Sequence, residues 1–292
     1  MRLCSYFLLY PLYFCLYCSL SLGLSKPAFS QIQQQQKPQH IVSLSLCSDL
    51  LLLQLADKEN IASLSYLAAE PEYSYLSQQV ADIPLNRGQA EEVLQFKPDL
   101  IIGSQFSATM AINLLKQLDH SVTMLSFPAN LDEIYQQIRQ VASLLLEPER
   151  GEKLIADMQS RITQTLTNIP SAQRNKLAVF YSNNGYTYGN NTLRNSFLST
   201  LGLRNLAAEV GISGSGQLNL ETLLSAEPDF LLMDSPHQYT NQLAQAILKH
   251  PALQQSFTTK NMITIPDQLF QCAGPSLVDA FEIMLTQLES AS

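Results

Sequence analysis

The chain has 292 residues, with 17 Lys and Arg against 25 Asp and Glu, a formal net charge of −8. That length holds one large or two small domains. The acidic balance argues against nucleic acid as a partner, because phosphate binding needs clustered Lys and Arg, and the scattered His40, His120, His237 and His250 offer no zinc- or manganese-ligand cluster.

Arg2 precedes an apolar, uncharged run over residues 3–24, followed by Lys26-Pro27 and the small residues Ala28 and Ser30 flanking Phe29. This reads as a secretory signal over residues 1–30, cleaved after Ser30. A run of about 20 apolar residues would also reach across a bilayer, but Pro11 and the small-residue exit favour cleavage. No Cys follows small residues in the manner of a lipoprotein site. Removing residues 1–30 takes two of the 17 basic residues, Arg2 and Lys26, and none of the 25 acids, so the remaining charge is −10. Such a chain suits a soluble exported protein. Cys4, Cys15 and Cys18 leave with the signal, and Cys47 and Cys272 remain as an even pair for an oxidising compartment.

Residues 31–39 are Gln-rich and read as a disordered leader. The fold begins at His40, with a strand over 41–44 and a turn at Ser45-Leu46-Cys47-Ser48. A Leu-rich helix over 49–56 follows, with Ser48 as its cap and Asp49 in its first turn. Strands at 61–64, 100–102 and 122–125 alternate with helical segments at 93–96 and 108–118, which predicts a parallel sheet. Ile134, Ile138, Val141 and Leu145 mark a helix over 131–146. Pro148 stands where a new helix tolerates proline, and Leu154, Ile155, Met158, Ile162 and Leu166 carry that helix over 149–169 as a connector. The pattern then restarts, with strands at 177–181, 230–233 and 262–265 and helices at 192–201, 242–248 and 275–288. The expected organisation is an N-terminal lobe over 40–128, a helical segment over 129–170 and a C-terminal lobe over 171–292.

One segment occurs twice. Residues 91–102 place Glu91, an apolar helical face and Lys97-Pro98-Asp99 before a strand. Residues 221–232 place Glu221, a similar face and Glu227-Pro228-Asp229 before another. Each Glu lies seven positions ahead of its proline. A Glu at a helix start and Pro-Asp leading into a strand are good local chemistry, but two copies flanking the long helix argue for two similar lobes.

With these pieces in order, the chain resembles the periplasmic substrate-binding proteins of ABC importers for cobalamin and ferric siderophores. The resemblance covers about residues 40–290. Its carriers are the 41–44 strand with its turn and helix, Gly88 through Ile102, Glu149 through Leu154, Leu220-Glu221 through Pro228-Asp229, and Gly274-Pro275. It implies an α/β fold of two Rossmann-like lobes with parallel sheets joined by a single long helix. It implies a monomer with no permanent cofactor, which takes a corrinoid or ferric chelate between the lobes and delivers it to membrane permease subunits. By position, Glu91 and Glu221 are the carboxylates expected to meet permease arginines, two points of charge on a rigid body that favour oriented encounter. Glu92 could substitute for Glu91. Tyr66 matches an aromatic ligand contact of the cobalamin-binding member.

In parallel α/β lobes ligands bind beyond the carboxyl ends of the strands. That selects Ser45, Cys47, Ser48, Tyr66, Arg87, Gln105 and Phe106 on the first lobe. On the second it selects Tyr186, Asp234, His237, Gln268, Phe270 and Cys272. The list is aromatic and amide-rich with little net charge, which suits a large flat or ring-like ligand. Arg87 and Arg194 are the candidates to meet an anionic chelate. For Cys47 and Cys272 three readings stand: a disulfide across the cleft, two free thiols facing a ligand, or two buried small residues. A haem carrier of the same fold is the nearest rival, with Tyr66, Tyr186 or His237 as iron ligand. A periplasmic hydrolase is the rival from another class, though no Gly-x-Ser-x-Gly elbow, P-loop or dinucleotide fingerprint is present.

Overall fold

The N-terminal lobe is built on short, nearly continuous apolar strands, the pattern expected where both faces of a parallel sheet are covered. The computed structural model describes residues 36–105, 107–234, 250–258 and 261–290. The signal, most of the leader, Phe106, His237 and the 242–248 helix expected from sequence lie outside the described residues. From Lys37 onward the chain forms one compact unit.

In the first lobe β1 (Ile41–Ser43), β2 (Ile61–Ser65), β3 (Leu85–Asn86), β4 (Leu100–Ser104) and β5 (Val122–Leu125) form a parallel sheet of order β3-β2-β1-β4-β5. Three helices accompany it: α1 (Leu46–Leu55), α2 (Ala90–Gln95) and α3 (Thr109–Gln117). α1 starts three residues earlier than its sequence predicts. Ser45, not Ser48, is the N-cap: it holds an extended backbone (φ −157°, ψ 151°), and its side chain accepts from the Ser48 N–H. Leu46 and Cys47 therefore belong to the first helical turn. α1 is apolar nearly all round because it packs between the sheet and the next helix, α4 (Leu131–Leu144).

The second lobe repeats the plan. β6 (Leu177–Phe180), β8 (Arg204–Asn205), β10 (Phe230–Asp234) and β11 (Met262–Ile265) form a parallel sheet of order β11-β10-β6-β8. β7 (Tyr186–Tyr188) and β9 (Ser215–Gln217) form an antiparallel ribbon where the sequence suggests only a loop. The accompanying helices are α6 (Leu193–Thr200), α7 (Leu206–Glu209), α8 (Leu220–Ala226), α9 (Pro251–Ser256), α10 (Gln268–Gln271) and α11 (Leu277–Ser290).

The duplicated segment is duplicated in backbone as well. Lys97 and Glu227, each just before its proline, hold positive φ of 49° and 46°. Asp99 accepts from the N–H groups of Gln39 and His40 at 2.7 and 3.0 Å, just ahead of β1. Asp229 accepts from the N–H of Leu177 at 2.8 Å, at the head of β6, and from Lys176 Nζ at 2.8 Å. In each lobe the Pro-Asp carboxylate thus ties the start of its own strand to the neighbouring strand. Burial alone would raise the Asp229 carboxyl, but these bonds outweigh it and hold the group below its ordinary value.

The connector is α5 (Pro148–Asn168), a helix of 21 residues. Arg150 reaches the first lobe, donating to the Leu55 carbonyl at 2.8 Å and to Asp57 at 2.7 Å. Arg161 reaches the second, donating to both Glu282 carboxylate oxygens and to Asp279 on α11. Gly151 permits close passage past α4, since a Cβ there would lie 2.6 Å from that of Ala142. One apolar cluster runs from Ile41 and Leu52 in the first lobe, through Ile138 and Ile155, to Phe180 and Phe281 in the second. The lobes therefore share a continuous packed core along α5, which favours a rigid spine.

Candidate functional site

The carboxyl ends of the two sheets line two cavities, each of about 570 Å³. The first draws on Ser45, Cys47, Tyr66, Arg87 and Ser104 of the first lobe, and on Gln271 and Cys272 of the second. The second cavity draws on Tyr188, Arg194, Asp267 and Phe270 of the second lobe, and on Gln105 and Phe127 from the other side. Gln271 lines both.

Tyr66 follows β2 directly and is 46 % exposed. Its backbone is set by Ser65, whose N–H donates to Asp49 at 3.0 Å and whose hydroxyl donates to the other carboxylate oxygen. Arg87 lies with its guanidinium carbon 5.9 Å from the Tyr66 ring centroid, within cation–π range. The Arg87 turn is built from both flanks. Asn86 Nδ2 donates to the Ser43 carbonyl, the Ser63 hydroxyl and the Leu64 carbonyl, while its Oδ1 accepts from the Gly88 N–H. Gly88 holds a φ of 72°, which suits glycine. The Arg87 N–H donates to Glu92 at 2.6 Å. Tyr66 was legible as the neighbour of a strand end and Arg87 by its place before Gly88; the short β3 ahead of Arg87 was not foreseen, and the structure brings the two side chains together.

Ser48 is fully buried behind the cleft wall. Its hydroxyl bonds to those of Ser43 and Ser45 and to the Ser45 carbonyl, so it does not face a ligand. Ser45 reaches the cavity edge while its side chain caps α1. Tyr186 stands on the β7–β9 ribbon, 41 % exposed, with its hydroxyl 3.0 Å from that of Ser215. It lines neither cavity; its neighbour Tyr188 does. Gln268 likewise lines neither, and the amide that does is Gln271, one helical turn on.

Arg194 is not an anion anchor. It is 6 % exposed and bridges Asp234 at 2.5 Å and Asp267 at 2.6 Å. Its guanidinium carbon lies 4.4 Å from the Tyr188 ring centroid, 4.6 Å from that of Phe270 and 4.9 Å from that of Phe180. Burial would lower this group, but the two carboxylates more than offset that and hold it above its ordinary value. Asp234, expected to face a ligand, is taken up by Arg194 and by the Ser182 hydroxyl at 2.5 Å. Tyr186 and Tyr188 stand two apart on one strand and share a face of the ribbon, their ring centroids 5.9 Å apart, so strand alternation gives no signal for choosing Tyr188.

Cys47 and Cys272 form a disulfide with Cα atoms 5.1 Å apart. Of the three readings the sequence allows, the cross-cleft bridge is the one observed, so neither residue offers a free thiol. Glu91 and Glu221 occupy the first turns of α2 and α8, both exposed, and neither carboxylate makes a hydrogen bond or ion pair among the described residues. Among the described residues no group of three or more His, Cys, Asp or Glu side chains is placed to hold a metal ion.

Two lobes with parallel sheets, a single connecting helix and cavities between the strand ends define a two-lobed binding protein. The chain belongs to the periplasmic binding protein family, whose pattern matches residues 41–269. It is similar to a cobalamin-binding protein of Halobacterium salinarum, 20 % identical over 272 residues, which cover 90 % of this chain and 72 % of that one. It is also similar to an uncharacterized ABC transporter substrate-binding lipoprotein of Bacillus subtilis, 20 % identical over 258 residues, covering 85 % and 79 %. Among solved structures it shares the fold of the periplasmic heme-binding protein RhuT from Roseiflexus sp. RS-1. That match has a TM-score of 0.69 and 23 % identity, and covers 87 % of this chain and 99 % of the other.

Proposed function

We propose that this chain is the ligand-receiving component of an ABC importer, exported through a cleaved signal to the periplasm. There it takes a large metal chelate, a corrinoid or ferric siderophore, between its lobes and delivers it to the membrane permease. The observation that carries this reading is the Tyr66–Arg87 pair, exposed on the wall of an inter-lobe cavity at the strand ends. An aromatic face beside a cation suits a flat, conjugated ligand with peripheral carboxylate or amide groups. Relatives described as cobalamin-binding and heme-binding support the ligand class, and the lipoprotein relative supports the importer. Glu91 and Glu221 are the proposed contacts to the permease.

Haem is the second reading, favoured by the exposure of the Tyr66 phenol at the cavity wall, where it could ligate iron. The test is titration of the purified protein with cyanocobalamin, haemin and a panel of ferric siderophores, with native mass spectrometry for stoichiometry. Tight one-to-one binding without turnover supports a carrier. A shifted Soret band with haemin, lost in Tyr66→Phe, selects haem over the others. Turnover of an ester or peptide substrate would overturn the carrier reading.

A further inference from the structure

Cys47 lies in the first turn of α1 and Cys272 just beyond α10, so their disulfide joins the first lobe to the second. Both ends are held. Two residues past Cys47, Asp49 is fully buried and clamps Ser65, the residue before Tyr66. On the other side α10 is tied back through Asp267 to the buried Arg194, and the Ser276 hydroxyl donates to the Leu269 carbonyl at 3.0 Å. Around the bridge, Leu46, Leu50 and Cys272 make a small apolar cluster against Leu67, Tyr73 and Tyr75 of the first lobe. Gln271, adjacent to the bridge, is the one described residue common to the linings of both cavities.

We infer that the Cys47–Cys272 bridge, with Gln271, is the specificity-determining partition of the cleft: it fixes the separation of the lobes and divides the space between them into two chambers. A covalent link at this point leaves a ligand no route to widen the cleft by spreading the lobes there. A rigid plate must fit one chamber, with Tyr66 and Arg87 in one and Tyr188 and Phe270 in the other. A bulkier chelate is disfavoured because the wall between the chambers cannot retreat. Binding to so preorganised a site avoids part of the ordering cost of closing two mobile lobes. The ligand-size consequence rests on the carrier reading given above; the mechanical one does not.

Two measurements test it. The first needs no ligand. Hydrogen–deuterium exchange is compared between the oxidised protein, the same protein reduced with a dithiol, and the isosteric Cys47→Ser/Cys272→Ser variant. Exchange is expected to rise about tenfold or more in segments 66–76 and 268–276 in both bridge-free forms, at labelling times too short for β4 and β10 to exchange through global unfolding. Equal exchange in all three forms overturns the partition. The second measurement titrates oxidised and bridge-free protein with cobinamide, a corrinoid without the nucleotide arm, and with the bulkier cyanocobalamin. The oxidised protein is expected to discriminate against cyanocobalamin about tenfold more strongly than the bridge-free protein, and an unchanged ratio overturns the size filter. Binding of neither probe to either form counts against the cargo reading alone, since the exchange result still decides the partition.

Discussion

The Asp49 carboxylate accepts two hydrogen bonds from a single residue, Ser65: one from its backbone N–H at 3.0 Å and one from its hydroxyl. Burial, opposed in part by the Ser43 and Ser65 hydroxyls and the Ser65 N–H, pushes the Asp49 carboxyl up to about 7 from an ordinary 3.8. The folded value lies above the unfolded one. Between them the native state keeps a proton that the unfolded chain has released. The resulting stabilisation is complete below about pH 4 and is lost as the pH rises through about 7. Asp49→Asn imitates the neutral acid, accepting from the Ser65 N–H and donating to its hydroxyl oxygen. Urea unfolding across this range should show the variant gaining on the wild type by up to about 4 kcal/mol between about pH 4 and pH 7.5. A pH-independent difference would contradict a titrating Asp49.

The disulfide joins residues 225 positions apart, so it removes a large loop-closure entropy from the unfolded chain. Cys47→Ser/Cys272→Ser is expected to lower stability by about 2–5 kcal/mol. Either single variant should cost as much, because each loses the same bond. Denaturant unfolding measures this, and alkylation without reduction, followed by mass spectrometry, should find both thiols protected in the wild type.

The parallel sheets, the connector and the pairing of the lobes were legible because each leaves a periodic or repeated trace. Buried strands such as residues 100–104 are apolar runs, α5 keeps a helical stripe for 21 residues, and the Pro-Asp segment appears twice. Choices made by tertiary contact were not legible. Ser45 and Ser48 are equally good caps by type, and only the helix start separates them. Arg194 looked available to a ligand because its neutralising partners, Asp234 and Asp267, lie 40 and 73 residues away. Tyr186 and Tyr188 share one side of a ribbon and differ only in position along it, and that ribbon pairs with residues 215–217 across a long separation. The bridge depended on the distance between two loops, which no spacing encodes.

Gly151 sets how closely α5 passes α4. A Cβ at this position would stand 2.6 Å from that of Ala142, on two backbones that neither helix can easily move. Gly151→Ala should therefore destabilise by about 1–3 kcal/mol despite alanine's better helix propensity. Adding Ala142→Gly should recover most of the loss, a compensation that thermal unfolding of the double variant would reveal.

Arg194→Met removes a buried cation and leaves the Asp234 and Asp267 carboxylates facing each other without it. The expected loss is about 3–5 kcal/mol, most of it from the uncompensated charges rather than from lost attraction. Asp234→Asn with Asp267→Asn in the Arg194→Met background should restore part of that stability. If instead the single Arg194→Met variant were as stable as wild type, the triad would have no structural role.

Glu91 and Glu221 sit at equivalent positions of the two repeats, exposed in the first turns of α2 and α8. Glu92, the alternative to Glu91, is already engaged by the Arg87 N–H, which leaves Glu91 as the carboxylate free for a partner's arginine. Because each is surface-exposed, Glu91→Ala/Glu221→Ala should leave the thermal midpoint and ligand affinity close to wild type. Two surface ion pairs at about 1 kcal/mol each together amount to about 2 kcal/mol of docking energy. Affinity for reconstituted permease should accordingly fall by about thirtyfold, and by more with Glu91→Lys/Glu221→Lys, which sets like charges against each other. The wild-type affinity should itself weaken with rising salt, while the neutral double variant should be nearly indifferent to it. Permease binding by the double variant that matches wild type in affinity and salt dependence would remove both residues from the docking surface.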